Sequence, residues 1–113
     1  MHGTRVVFSS IVAAAALLAP TGVHAAVDVV ATTSSGGMLA RTVGGSAVKV
    51  TVLAPPDRDA HFLQAKPGMM LAVRRAKLLV AVGAELEVGW LPAVLEGAGN
   101  PGVLPGQPSY FEL

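Results

Sequence analysis

The sequence has no cysteine and little charge, and both shortages exclude classes of protein. Without a thiol the chain forms neither disulfides nor a lipid-modified cysteine anchor. Charged residues are 13% of the 113 residues and the formal net charge is +1, so the basic surface that binds nucleic acid or anionic membranes is missing. Hydrophobic residues make up 52% of the chain, whose length allows one small domain at most.

The first 25 residues have the layout of a secretory signal peptide. An early arginine is followed by an apolar run over 6–19 and by a cleavage site at 23–25. The apolar run is too short to span a bilayer comfortably and ends at a proline. We therefore expect cleavage after Ala25, with Ala26 as the next candidate, and export in soluble form to a periplasmic or extracellular space. In the mature part, 26–113, His61 is the only histidine.

Strand and helix patterns alternate along the mature part. β-branched and apolar runs predict strands at 27–33, 48–53 and 77–82, and helical spacing predicts helices through 38–43, from Pro67 onward and over 85–96. From Gly97 onward the prolines and glycines show no periodicity, which predicts a loop. The alternation predicts an α/β fold, a parallel sheet with flanking helices.

Several side chains have predicted surroundings. Met38 is expected to fill the core, and Trp90 to pack against the sheet. Glu85 and Glu87, near the start of the third predicted helix, are expected to face water and complement the helix dipole. Pro92 fits the start of a helix better than its middle.

The loop 55–65 leaves the second strand, at the sheet edge where parallel α/β proteins bind ligands. It contains Asp57, Asp59 and His61 behind two prolines. A neutral imidazole is a common ligand of zinc and other divalent metals, and either aspartate is suited to hold its second ring nitrogen. The alternative is a solvated turn, which spacing alone favours because one histidine does not make a site and structural zinc takes about four ligands.

A succession of short segments adds to this interpretation. In order, they are VVATT at 29–33, VGG at 43–45, VTVLAPP at 50–56, DAH at 59–61, KP at 66–67, AKLLVAVGAELE at 76–87, GWLP at 89–92 and GQP at 106–108. In order and spacing they resemble the start of the zinc/manganese ABC-transporter substrate-binding proteins, the cluster A-I solute-binding family.

The resemblance implies a function and a metal ligand. In that family two α/β lobes joined by a long helix hold one zinc or manganese ion, and the first ligand is the histidine of a D-x-H loop after the second strand. His61 occupies that place, and the other ligands come later in the family's chains. The resemblance thus implies a partial N-terminal lobe at 26–113, in a chain that looks truncated. It implies a periplasmic receptor that delivers the ion to an ABC permease, and no enzyme.

Other interpretations stay open at this point. The chain is alternatively a truncated, non-functional fragment, or a secreted structural or adhesive module that binds no metal. A secreted hydrolase is disfavoured because no nucleophile–base pattern such as G-x-S-x-G is present. The choice between zinc and manganese depends on ligands that follow His61 in the family.

Overall fold

The computed structural model describes Gly3 and residues 25–113. The predicted signal peptide, 1–25, therefore lies almost wholly outside the described residues. Within the described part, no helix is long and apolar enough to cross a membrane.

Four strands and three helices make up the described chain. In order they are β1 Val27–Ala31, α1 Ser34–Gly44, β2 Val48–Val52, α2 Pro67–Arg75, β3 Leu78–Ala81, α3 Leu91–Ala98 and β4 Tyr110–Glu112, with 3-10 turns at Gly45–Ala47 and Pro101–Val103. The strands form one sheet in the order β2-β1-β3-β4, and all neighbours are parallel. The predicted α/β fold, a parallel sheet with flanking helices, is confirmed.

β1 lies in the interior of the sheet and has partners on both sides. Val29 is opposite Val50 of β2 and opposite Leu78 of β3. Its apolar residues Val29, Val30 and Ala31 are buried, as expected for a strand covered on both faces. Because the pairs are parallel, the loops that follow β2 and β3 leave from the same edge of the sheet.

The two faces of the sheet carry separate apolar cores. On one face α2 and α3 pack over β3, and this larger core includes Val73, Leu79, Trp90 and Val94. On the other face α1 covers a smaller core around Val29, Ala31 and Val80. The burial of Trp90 in the larger core confirms its predicted packing.

Helix α1 meets the sheet through glycines and Ala40, and not through its larger apolar side chains. Thr33 caps the helix, with its Oγ1 accepting a hydrogen bond from the Gly36 N–H at 3.4 Å, and Gly36 and Gly37 are buried. Met38 and Val43 are 59% and 89% exposed, so the prediction that Met38 fills the core is wrong. The helix lies so close to β2 that a Cβ atom on Gly37 would be 2.6 Å from Cγ2 of Val52.

The third predicted helix is shorter than the sequence pattern indicated. Residues 84–90 form turns, and α3 begins only at Leu91, with Pro92 in its first turn as predicted. Ala84 and Glu85 have φ values of 51° and 67°, in the left-handed region, and a right-handed helix cannot pass through them.

The segment after Gly97 is not all loop, which corrects the prediction. Tyr110–Glu112 adds a fourth strand, pairing Tyr110 with Leu79 and Phe111 with Val80. A three-residue strand is too short to show a period of its own, so its identity as a strand depends on the neighbouring β3.

Asn100 ties the ends of α2 and α3 together. Its side-chain N–H groups donate to the carbonyls of Val73 at 3.0 Å and Ala76 at 2.9 Å, at the C-terminal end of α2. The Val73 carbonyl also accepts a hydrogen bond from the Ala76 backbone N–H at 3.1 Å. In the other direction, Nε of Arg74 donates to the carbonyl of Ala98 at 3.0 Å. The helix pair that covers the larger core is therefore fixed by polar contacts at its ends.

Because Gly37 of α1 lies against β2, replacing it with alanine should destabilise the chain, although alanine usually stabilises a helix relative to glycine. Gly37→Ala should destabilise the chain by about 1–2 kcal/mol, because overpacking against Val52 outweighs the gain of up to about 1 kcal/mol in helix propensity. Gly68→Ala in α2 is the matched control, since a Cβ there meets nothing within 4 Å, and it should be neutral or stabilising. Urea unfolding measures both, and equal stability of the two variants would contradict the close packing of α1.

Candidate functional site

His61 lies in the irregular loop between β2 and α2, at the carboxyl edge of the sheet. Its side chain is 56% exposed. The ring of the neighbouring Phe62 is tilted against it, with the centroids 6.0 Å apart. The imidazole is therefore presented to solvent and accessible to a ligand.

Asp59 holds both the backbone and the ring of His61. One carboxylate oxygen, Oδ1, accepts a hydrogen bond from the His61 backbone N–H at 2.9 Å and lies 2.7 Å from Nδ1 of the ring. The backbone hydrogen bond, then the ring hydrogen bond, hold the pKa of the Asp59 carboxyl below its usual range. Donation from Nδ1 to Asp59 leaves the lone pair on Nε2, which is the tautomer a metal ligand requires.

Asp57 does not share this contact. It lines a separate hollow with Arg58 and Lys66, and among residues 25–113 it makes no hydrogen bond to His61. The same residues contain no group of three or more histidine, aspartate or glutamate side chains that could hold a metal ion. The described chain thus offers one imidazole and one carboxylate that orients it.

The His61 loop is anchored to the core by Trp90. The indole Nε1–H of this 1% exposed side chain donates to the carbonyl of Ala60 at 2.7 Å. The His61 carbonyl also faces Gly89, with 3.6 Å to the position of a Cβ on that glycine. The sequence offered one hint of the anchor, since a buried tryptophan N–H usually finds an acceptor, but gave no sign of which one.

Glu87 is buried, contrary to the prediction that it faces water. It is 4% exposed, and its Oε1 accepts hydrogen bonds from the backbone N–H groups of Val82 at 3.0 Å and Gly83 at 3.3 Å. The left-handed residues Ala84 and Glu85 turn the chain back, so that Glu87 caps the end of β3 instead of starting a helix.

Tyr110 lies on β4 near Glu87 and Glu112. Burial, followed by the negative charges of Glu112 and Glu87, raises the pKa of its phenol from 10.0 to about 12. Its hydroxyl donates to Oε1 of Glu112 at 3.4 Å. This end of the sheet is therefore electrostatically negative.

The sequence and the fold are both similar to those of known proteins. Residues 29–106 match the family model described as "Zinc-uptake complex component A periplasmic". Two solved structures of ZnuA, one of them a deletion mutant with zinc bound, are each 28% identical to the chain, with TM-scores of 0.61 and 0.62. Each alignment covers 67% of this chain, and it covers 30% and 29% of the two ZnuA chains.

A third structure shares the fold at lower identity. Zn(II)-bound AdcA from Streptococcus pneumoniae is 18% identical, with a TM-score of 0.56 over 66% of this chain and 16% of that chain. The shared fold is a parallel four-stranded sheet with flanking helices. Because the family model spans more than half of its residues, the chain belongs to the periplasmic zinc-uptake component A family, which consists of solute-binding receptors and is not an enzyme family. It spans less than a third of the length of the ZnuA structures.

Removing the indole N–H should loosen the His61 loop. Trp90→Phe leaves the Ala60 carbonyl without its donor and should destabilise the chain by about 1–3 kcal/mol, part of it from the smaller ring. Amide hydrogen exchange should accelerate selectively at His61 and Phe62, whose N–H groups are hydrogen-bonded within the loop. Tyr110→Phe is the control, because it removes only an exposed hydrogen bond, and unchanged loop exchange in Trp90→Phe would contradict the anchor.

Tyr110 gives a pH prediction with a definite sign. It is the only tyrosine, so the ultraviolet absorbance of its phenolate should titrate near 12 and not near 10.0. Since the folded-state pKa is raised, the stabilisation is fully present below pH 10 and is lost as the pH rises towards 12. Glu112→Gln should lower the midpoint, and a wild-type midpoint at the ordinary tyrosine value would contradict the negative surroundings.

Proposed function

We propose that the chain belongs to the N-terminal lobe of a periplasmic solute-binding receptor that captures a divalent metal ion and delivers it to an ABC permease. The observation that carries the proposal is the Asp59–His61 pair, an exposed imidazole whose Nδ1 contacts Asp59 and whose Nε2 has no hydrogen-bond partner among residues 25–113. Family membership supports the assignment, since the family model is described as a periplasmic zinc-uptake component and a related ZnuA structure holds zinc.

Three residues in and around the loop have separate roles in this proposal. His61 is the metal ligand, through Nε2. Asp59 is a positioning residue, because its contacts fix the tautomer and the ring and make Nε2 a better donor. Trp90 holds the neighbouring Ala60 carbonyl, which limits how far the loop moves when the ion arrives or leaves.

His61 needs further ligands to enclose the ion. A zinc site takes about four ligands, and residues 25–113 contain no cluster of three candidates. In this proposal the remaining ligands lie outside the described residues, and His61 is the first contact of the incoming ion.

Zinc is the ion that the proposal favours. Imidazole nitrogen suits zinc, whereas manganese accepts more carboxylate and water oxygens. One of the ZnuA structures that resemble this chain holds zinc. Manganese is the second candidate.

The proposal also includes removal of the signal peptide after Ala25, because capture of the ion would take place in the periplasm.

Zinc should reach His61 through Nε2. In a nitrogen-edited NMR titration of the chain with zinc chloride, the His61 Nε2 signal should shift while Nδ1 keeps the signature of a protonated nitrogen. His2 and His24 give separate ring signals, and His61→Ala identifies the correct set. Asp59→Asn should weaken the response of His61 by about 10- to 100-fold in zinc concentration, the usual loss for such a positioning carboxylate.

Asp57→Asn is the matched control, because it removes a carboxylate from the same loop that makes no hydrogen bond to His61. It should change the titration much less than Asp59→Asn. A His61 ring that does not respond to zinc, or that binds through Nδ1, would refute the assignment of His61 as a ligand.

A further inference from the structure

A second concave surface lies along β4, separate from the His61 loop. It is a groove of about 500 Å³ bounded by the turn after β3, helix α3, the 104–105 segment and β4. We call it the glutamate groove, after Glu85, Glu87, Glu96 and Glu112 in its wall. Its volume falls in the range of pockets that bind small organic molecules.

The charge of the groove has one sign. The four glutamates are all the glutamates in the sequence, and no lysine, arginine or histidine lines the groove. None of the four forms a salt bridge within the described residues. Four of the seven acidic residues of the chain therefore line one cavity, where a cation would be attracted.

Glu87 points to a ligand independently of the other three. Its side chain is 4% exposed and lines the groove, and both of its hydrogen bonds within residues 25–113 go to Oε1. Oε2 receives no donor from the described part of the chain. Oε2 is not among the fully buried unpaired atoms of the described residues, so it can accept a hydrogen bond from a donor that enters the groove.

The remaining wall is apolar. Val88, Leu91, Leu95 and Leu104 contribute to it, and Val88 and Leu104 are exposed. Such a surface gains from covering by an apolar body, whereas a small hydrated cation would leave it wet.

We propose that the glutamate groove binds an organic cation, a protonated amine attached to an apolar body. The ammonium group donates to Glu87 and is further attracted by Glu112 and Glu96, and the apolar body covers the exposed side chains of Val88 and Leu104. This ligand differs in chemistry from a metal ion, and the site includes neither His61 nor Asp59. The proposal therefore stands or falls independently of metal capture.

Three probes of nearly equal shape test the proposal by charge alone. Tryptamine carries an ammonium group, tryptophol is neutral and indoleacetate is anionic. In chemical-shift titrations of the chain, tryptamine should shift the amides of Val82, Gly83 and Tyr110 and bind at least tenfold more tightly than tryptophol. Indoleacetate should bind more weakly than either. Equal affinity for all three probes, or no binding of tryptamine, would overturn the proposal.

Variants locate the site without disturbing the fold. Glu112→Gln and Glu96→Gln change exposed side chains, and each should weaken tryptamine binding at least threefold while tryptophol binding stays constant. Asp28→Asn is the control, because Asp28 lies at the amino end of β1, at the opposite edge of the sheet, and should leave both affinities unchanged. Tryptamine binding that ignores the glutamate variants, or that falls equally in the Asp28 variant, would place the cation elsewhere.

Discussion

The structure depends on the parallel pairing of β1 with β2 on one side and β3 on the other. Parallel pairs bring the carboxyl ends of the strands to one edge, so the loops after β2 and β3 become neighbours although α2 separates them in sequence. Antiparallel pairing of either strand would send one loop to the opposite edge. The contact between Trp90 and the Ala60 carbonyl exists only because both loops leave from the same edge.

The turn between β3 and α3 connects two surfaces. Glu87 folds back on the end of β3 and contributes to the glutamate groove, while Trp90, three residues later, supports the loop of His61. The left-handed backbone at Ala84 and Glu85 reverses the chain, so that Glu87 lies against the end of β3 while Trp90 lies against the His61 loop. Such conformations are unfavourable for residues other than glycine, and the hydrogen bonds from Val82 and Gly83 to Glu87 help to hold them.

Sequence periodicity correctly predicted the elements whose hydrophobic pattern extends over several residues. The first three strands, α2 and the parallel α/β class follow from apolar runs, and a pairing of Asp59 with His61 could be suggested because the two residues are close in sequence. Periodicity failed where a single contact decides the structure. The apolar spacing of α1 suggested a buried Met38, but the sheet accepts only the glycine face because Gly37 lies against Val52. Glu87 looked like a helix-start glutamate because no pattern reports positive φ values at Ala84 and Glu85. The sequence of β4 shows no strand periodicity, and its strand conformation depends on pairing with β3.

The interior position of β1 also determines how the chain reaches this fold. Only α1 and a short 3-10 turn separate β1 from β2 in the sequence. The other side of β1 pairs with β3, where Val29 lies opposite the distant Leu78. Closing such a long loop loses chain entropy before the contacts compensate it, so proteins rich in distant pairings fold more slowly than helical bundles of similar size. Until β3 arrives, one row of β1 backbone groups has no sheet partner, and the half-formed sheet exposes an edge on which another chain can add a strand. The interval before β3 docks is thus the stage of folding most vulnerable to aggregation.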